Sequence, residues 1–243
     1  RVKARDVDEL IETVPSFSAS VATVPTTSTL IAYEPFDYTI GTDVVGQGGG
    51  TGWSGNWTLT QDNGGSHLTV AGLTGTDGAL NMITTESIEN YQSDKISRQL
   101  SETISDGTIW GGVLVSGSAI GPGDYFITFG GNGAVMIGNA WGNIFSIDNT
   151  NTSTSQTAGQ VHQLIWKYQI SGGRVATSMW VDPADTSSEA TLGTPDSDRP
   201  DDSWSSTDTV HFGVQRYGNQ DIIFDEFRVG RNLQDIVPTD SDG

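Results

Sequence analysis

The 243-residue chain carries 30 acidic against 11 basic residues, a formal net charge of −19, with 31 Gly, 8 Pro and no Cys. The missing Cys excludes disulfides and thiolate metal sites, and the acidic balance argues against a nucleic-acid partner, which needs a basic face. No stretch of about 18 apolar residues offers a membrane span.

The length allows one large β domain. Many glycines with few long helical patterns indicate frequent turns between short strands. The acidity suits a salty, extracellular or Ca2+-containing medium, and it suits plain solubility equally. The chain opens on Arg1 without a signal-peptide pattern, which fits a processed product whose leader has been removed.

Val7, Leu10, Ile11 and Val14 recur at helical spacing, Asp6 is placed to cap, and Pro15 ends the pattern. A short helix is therefore predicted over the first 13 residues. Such a helix is marginal alone and needs a surface to dock on. Residues 16–28 are mostly Ser, Thr, Val, Ala and Pro. They read as an extended arm or a linker, and Val21 and Val24 give the segment enough β propensity to add to a sheet edge. Leu10, Ile11, Val21 and Val24 are accordingly the residues assigned to assembly.

The domain proper runs from about Leu30 to Val237. The densest apolar run is Asp221 to Gly230, and its natural partner is Leu30 to Tyr38, so the first and last strands are expected to pair. Gly46–Gly52 is a glycine-rich loop without a following Gly-Lys-Ser/Thr, hence a backbone-crowded turn rather than a phosphate loop. Further strands are predicted at His67–Leu73, Leu80–Thr84, Ile96–Leu100, Ile109–Val115, Tyr125–Phe129, Ala134–Ile137, Ile144–Ile147, Val161–Ile170, Val175–Val181 and Val210–Arg216. Leu164, Trp166, Tyr168 and Ile170 share one face, and Gln163, Lys167 and Gln169 the other, with Ile165 the exception. Val175, Thr177, Met179 and Val181 form the next inward face across Ser171-Gly172-Gly173, a hairpin. The long acidic stretch from Asp182 to Ser206 reads as a loop.

Tyr33-Glu34-Pro35-Phe36-Asp37-Tyr38 followed by Gly50-Thr51-Gly52-Trp53-Ser54-Gly55-Asn56-Trp57 resembles the opening of a LamG-like jelly-roll domain. Met136-Ile137-Gly138 before Trp141-Gly142, Met179-Trp180-Val181-Asp182-Pro183, and Phe224-Asp225-Glu226-Phe227-Arg228-Val229-Gly230 extend the match from roughly Ile31 to Pro238. This subgroup is abundant in planctomycete and verrucomicrobial surface and secreted proteins. The resemblance implies a concanavalin A-like fold: all-β, a two-sheet antiparallel jelly-roll sandwich, here with a short N-terminal helix and extended arm. The expected organisation is an arm at 1–29, the sandwich at 30–238 and a polar tail at 239–243. Lectins, adhesion modules, structural modules and glycoside hydrolases share this fold, so it does not fix a function.

Retaining glycosidases need two nearby carboxylates. Laminarinase-like enzymes of this fold resemble one another in a Glu-x-Asp-x-x-Glu strand, and no such spacing occurs here. Asp225 and Glu226 are adjacent, so a regular strand would turn them to opposite faces; the spacing of Phe224 and Phe227 suggests a bulge. No nucleophile elbow is present. His67, His162 and His211 fall inside predicted strands, where hydrogen-bonded or solvent-facing roles fit better than metal ligation. The expectation is therefore a chain that is not an enzyme. Ca2+ is the cofactor the acidic loop suits, with Asp182, Asp185, Asp196, Asp198, Asp201 and Asp202 as candidate ligands; a solvated acidic loop is the alternative. Exposed aromatics stack on sugar rings, which nominates Trp180, Trp141, Trp204 and Trp57 as glycan contacts. Three roles follow in order of fit. The first is an extracellular or cell-surface module for adhesion and glycan contact. The second is a structural subunit of an ordered assembly that self-associates through its arm. The weakest is a glycoside hydrolase.

Overall fold

The computed structural model describes residues 29–62, 64–73, 78–84, 93–117, 124–129, 135–139, 144–148, 150–215 and 220–237. The predicted N-terminal helix and arm lie outside these residues. The strands in chain order are β1 (Leu30–Glu34), β2 (Thr58–Gln61), β3 (Ser66–Ala71), β4 (Gly78–Thr84), β5 (Ser93–Ile104), β6 (Gly107–Gly117), β7 (Asp124–Phe129) and β8 (Met136–Asn139). They continue with β9 (Ile144–Ile147), β10 (Thr150–Ser155), β11 (His162–Ser171), β12 (Arg174–Val181), β13 (Ser197–Ser203), β14 (Thr207–Gln215) and β15 (Gln220–Gly230). A 3-10 turn at Glu189–Thr191 and a short helix α1 (Leu233–Ile236) complete the described elements.

The strands form two antiparallel sheets. One has eight strands in the order β13-β12-β11-β6-β15-β4-β3, with β1 also on β15; the other has seven in the order β10-β9-β8-β7-β14-β5-β2. The architecture is the two-sheet jelly-roll sandwich that the sequence indicates. First and last strands pair as expected, with Leu30 opposite Gly230 and Glu34 opposite Phe227. The β11–β12 hairpin closes over Gly172 and Gly173, both at positive φ (59° and 76°), the conformation a two-residue type I′ turn demands.

Between the sheets lies an aromatic core. The Phe212 ring sits 5.7 Å from Phe36, 5.5 Å from Trp57, and 5.0 Å from both Phe224 and Phe227, each edge to face. Trp166 is fully buried and lies across Gly111; a β-carbon at Gly111 would fall 2.2 Å from the indole. Ile165, the exception to the alternation, packs outside this core. With Trp110, Trp180, Leu192, Leu233 and Ile236 it forms a second apolar cluster on the outer face of the eight-stranded sheet. There α1 and the chain after β12 cover the sheet.

The glycine-rich loop is crowded by backbone, as expected. β-Carbons at Gly50 and Gly52 would lie 2.1 and 1.9 Å from the carbonyl oxygens of Tyr33 and Ile31, and both residues have positive φ. The loop is tied down by Glu34, which is fully buried. Its carboxylate accepts hydrogen bonds from the Phe36 amide (2.9 Å), Trp57 Nε1 (3.0 Å) and the Tyr38 hydroxyl (3.1 Å), and it pairs with Arg98. The Arg98 guanidinium lies over Trp53 at 4.9 Å. Burial pushes the Glu34 carboxyl up while Arg98 and these donors pull it down.

Residues 182–206 are not one loop. They hold the 3-10 turn and the edge strand β13, whose Pro200 is tolerated at a sheet edge because one side of the strand needs no donors.

Candidate functional site

Alternation in the seven-stranded sheet turns Ile96, Ile127, Phe129, Ile137, Phe145, Val210, Phe212 and Val214 into the core. The intervening residues form the outer face, and strand register arranges them in two rows. One runs Thr58, Ser97, His211, Thr128, Met136 across five strands. The next joins Lys95, Gly213, Gly138 and Ser146 through the backbone of β7 at Phe126. The rows hold hydroxyls, an amine, an imidazole and the Met136 thioether, and Gly213 and Gly138 bring no side chain to β14 and β8. Ser97, Thr128 and Ser146 are only 5, 7 and 3% exposed, so the face is recessed rather than an open plane. Burial holds the Lys95 amine below its usual range. At the β2 end the Thr58 hydroxyl lies 3.1 Å from that of Ser97. Further along β5 the Gln99 amide donates to Asp208 at 2.7 Å.

None of these residues was singled out as a contact from sequence except His211, read as hydrogen-bonded or solvent-facing. The signal was available in strand parity: polar residues alternate with the core set along β5, β7 and β14. The aromatic nominations fare differently. Trp57 is buried beneath the Gly-rich loop, and Trp204 packs against Tyr168 at 5.6 Å. Trp180 does face outward, but it is covered, stacked 5.8 Å from Trp110 with its Nε1 donating to the Gly193 carbonyl at 3.1 Å. These three offer no open ring to a sugar. Trp141 lies outside the described residues, as do Leu10, Ile11, Val21 and Val24.

The six aspartates nominated for Ca2+ do not converge. Asp182 lies 2.6 Å from His162 Nδ1 and accepts from the Gln163 amide (2.8 Å), while the Thr157 amide donates to His162 Nε2. Asp185 accepts the Ser187 amide, and Asp196 accepts the Val181 amide and the Thr154 hydroxyl. Asp201 pairs with Arg174 and Asp202 with Arg199, while Asp198 stands exposed on β13. Among the described residues no three His, Cys, Asp or Glu side chains gather as a metal needs.

The bulge at Asp225–Arg228 is present, with Glu226 at φ 52°. Phe224 and Phe227 both enter the core, so Asp225 and Glu226 both lie on the outer side of the eight-stranded sheet. A regular strand would put them on opposite faces; the bulge that the spacing of Phe224 and Phe227 suggests brings them to one side. Glu226 accepts from the Tyr33 hydroxyl (2.9 Å) and Arg228 Nη2 (2.9 Å), and Asp225 accepts from the amides of Leu73 and Glu226 (2.8 Å each).

No protein-family model and no curated protein matches the chain. Solved structures do. An endo-1,3-β-glucanase from Streptomyces sioyaensis is similar at a TM-score of 0.49 and 12% identity, over 84% of this chain and 96% of that one. Domain 4 of AbnA, a GH43 extracellular arabinanase from Geobacillus stearothermophilus, in complex with arabinotriose, scores 0.47 at 14% identity, over 86% and 97%. A GH131 β-glucanase catalytic domain from Podospora anserina scores 0.44 at 8% identity, over 64% and 75%. Two of the three are β-glucanases by name, and the third is a domain of an arabinanase in complex with arabinotriose. Their distance leaves the fold to rest on this chain's own strand pairing. They correct one expectation: with glucanase catalytic domains among the similar structures, the lack of a Glu-x-Asp-x-x-Glu spacing does not exclude an enzyme.

Proposed function

We propose that the chain contacts polysaccharide through the outer face of its seven-stranded sheet, as a LamG-like module of an extracellular or cell-surface protein. The observation that supports this reading is the pair of largely polar cross-strand rows, with Gly213 paired to Lys95 and Gly138 paired to Ser146. Sugars present hydroxyls that donate and accept. A recessed row of Ser, Thr, His and Lys side chains meets both needs, and glycines let a ring approach the backbone. Elsewhere the second large face is occupied, because α1 and the residues after β12 cover the eight-stranded sheet at Trp110 and Trp180. No described helix is long and apolar enough to cross a membrane.

Affinity electrophoresis through gels containing neutral and acidic polysaccharides tests this, together with a glycan array. The parent chain should be retarded by at least one polysaccharide, and Thr128→Arg, which fills the recess, should remove the retardation. Ile40→Arg, at an exposed turn away from the face, should leave it. Retardation that survives Thr128→Arg moves the contact elsewhere, and none on any glycan ends the proposal. Reducing ends released in the same incubations report directly on hydrolysis.

A further inference from the structure

Along the inner face of the eight-stranded sheet, one cross-strand row runs Ile109, Tyr168, Thr177, Arg199, from the core to the edge strand β13. Arg199 closes the row. Its Nη1 donates to the Asp148 carbonyl at 3.0 Å and its Nη2 to Asp202 at 2.5 Å, so it ties β13 to the β9–β10 turn of the other sheet. The Ser197 hydroxyl makes a second tie, to the Thr150 carbonyl at 3.0 Å. Behind this latch four buried polar atoms find no hydrogen-bond partner among the described residues: Tyr168 Oη, Thr177 Oγ1, Trp204 Nε1 and Asp202 Oδ2. Tyr168 and Thr177 are directly opposed on neighbouring strands, and Trp204 packs on Tyr168. Tyr168 and Thr177 are also essentially unexposed, at 0 and 1%.

Buried polar atoms in folded proteins are satisfied by protein or by ordered water. The complement here is one obligate donor, the indole; one obligate acceptor, the carboxylate; and two hydroxyls that do both. An anion would be repelled by Asp202, and a cation would compete with Arg199 for the same carboxylates. A small neutral molecule that both donates and accepts matches the set. We propose that Tyr168, Thr177, Trp204 and Asp202 hold internal water between the sheets, and that this water, with Arg199, locks edge strand β13 to the opposite sheet.

The test combines melting curves with a crystal structure of the full chain. Tyr168→Phe and Thr177→Val each remove one hydroxyl at nearly constant shape. If water bridges them, each should lower the melting temperature by roughly 3–6 °C, and the double variant should lose clearly less than the sum. Both variants should also speed amide exchange in β13 more than in β6. Discrete solvent density within about 3.2 Å of at least two of the four atoms should be present in the crystal. Variants that melt at or above the parent, with additive effects and no such density, overturn the proposal; the groups would then be dry, and removing them would relieve a desolvation cost.

Discussion

The contact of Trp166 with Gly111 is the sharpest test of the core. Trp166 is fully buried, with Phe129 and Phe227 each 6.3 Å away, and its indole occupies the space a β-carbon at Gly111 would need. Gly111→Ala sets a methyl group 2.2 Å from ring atoms held by core neighbours. Such overpacking costs about 1–3 kcal/mol. Trp166→Ala should cost about 3–5 kcal/mol through lost burial and a residual cavity. The decisive quantity is the coupling. In the Trp166→Ala background Gly111→Ala meets empty space, so its cost should shrink toward zero and leave an interaction term of about 1–3 kcal/mol. Urea unfolding followed by circular dichroism measures all four corners of the cycle. A Gly111→Ala midpoint equal to the parent's, or the same cost in both backgrounds, would refute this packing.

Arg98→Ala should cost about 3–5 kcal/mol, because it leaves the buried Glu34 carboxylate without its cation; urea unfolding checks it, with Trp53 and Trp57 fluorescence as a second signal. His67 is buried, and desolvation holds its pKa below the usual 6.5 against the pull of Asp43, Asp94 and Asp62. The folded state therefore disfavours the proton that the unfolded chain takes up. His67 contributes stability above about pH 6.5 that is lost as pH falls toward the folded pKa. Melting temperatures across that window should fall in the parent and stay flatter in His67→Gln. The assembly role given to the N-terminal segment predicts that deleting residues 1–28 leaves the melting temperature unchanged but removes self-association, measured by sedimentation. The cut spares Thr29, whose hydroxyl donates to Asp235 at 2.6 Å.

The strands that sequence reading missed share a place in the sheet. β11, β12, β14 and β15 bury one face, so apolar residues recur at nearly every second position, apart from Thr177 on β12 and the bulge of β15. The three it missed, β2, β10 and β13, are all edge strands. Their sequences are Thr-Leu-Thr-Gln, Thr-Asn-Thr-Ser-Thr-Ser and Ser-Asp-Arg-Pro-Asp-Asp-Ser. An edge strand gains its backbone bonds from one neighbour and buries little, so selection there favours polar residues that discourage pairing with other chains. That composition is also what a loop looks like. The tryptophans misled for a related reason. Trp57, Trp180 and Trp204 sit in or beside Gly- and Ser-rich sequence, yet the chain folds back over each, and burial under a loop leaves no periodic trace.

Asp225 and Glu226 show how far strand parity can carry a chemical conclusion. Parity alone put the two acids on opposite faces. One bulge, with Glu226 in a left-handed conformation, puts both on the outer side while keeping Phe224 and Phe227 inside. Spacing rules for catalytic carboxylates hold only for unbroken strands, so they could not rule chemistry out here. The surroundings of each acid are more informative. Glu226 holds Arg228 and the Tyr33 hydroxyl, the Arg228 guanidinium lies 4.1 Å over the Tyr33 ring, and Asp225 holds two backbone amides. Donors this numerous keep the carboxylates engaged within the protein, which is the arrangement of a clamp joining β1, β15 and the end of β3. The polar rows on the opposite sheet hold no carboxylate, and they span five strands. The acids of β15 therefore hold the first and last strands together, which is a structural role, and the proposed glycan contact is sought on the other sheet.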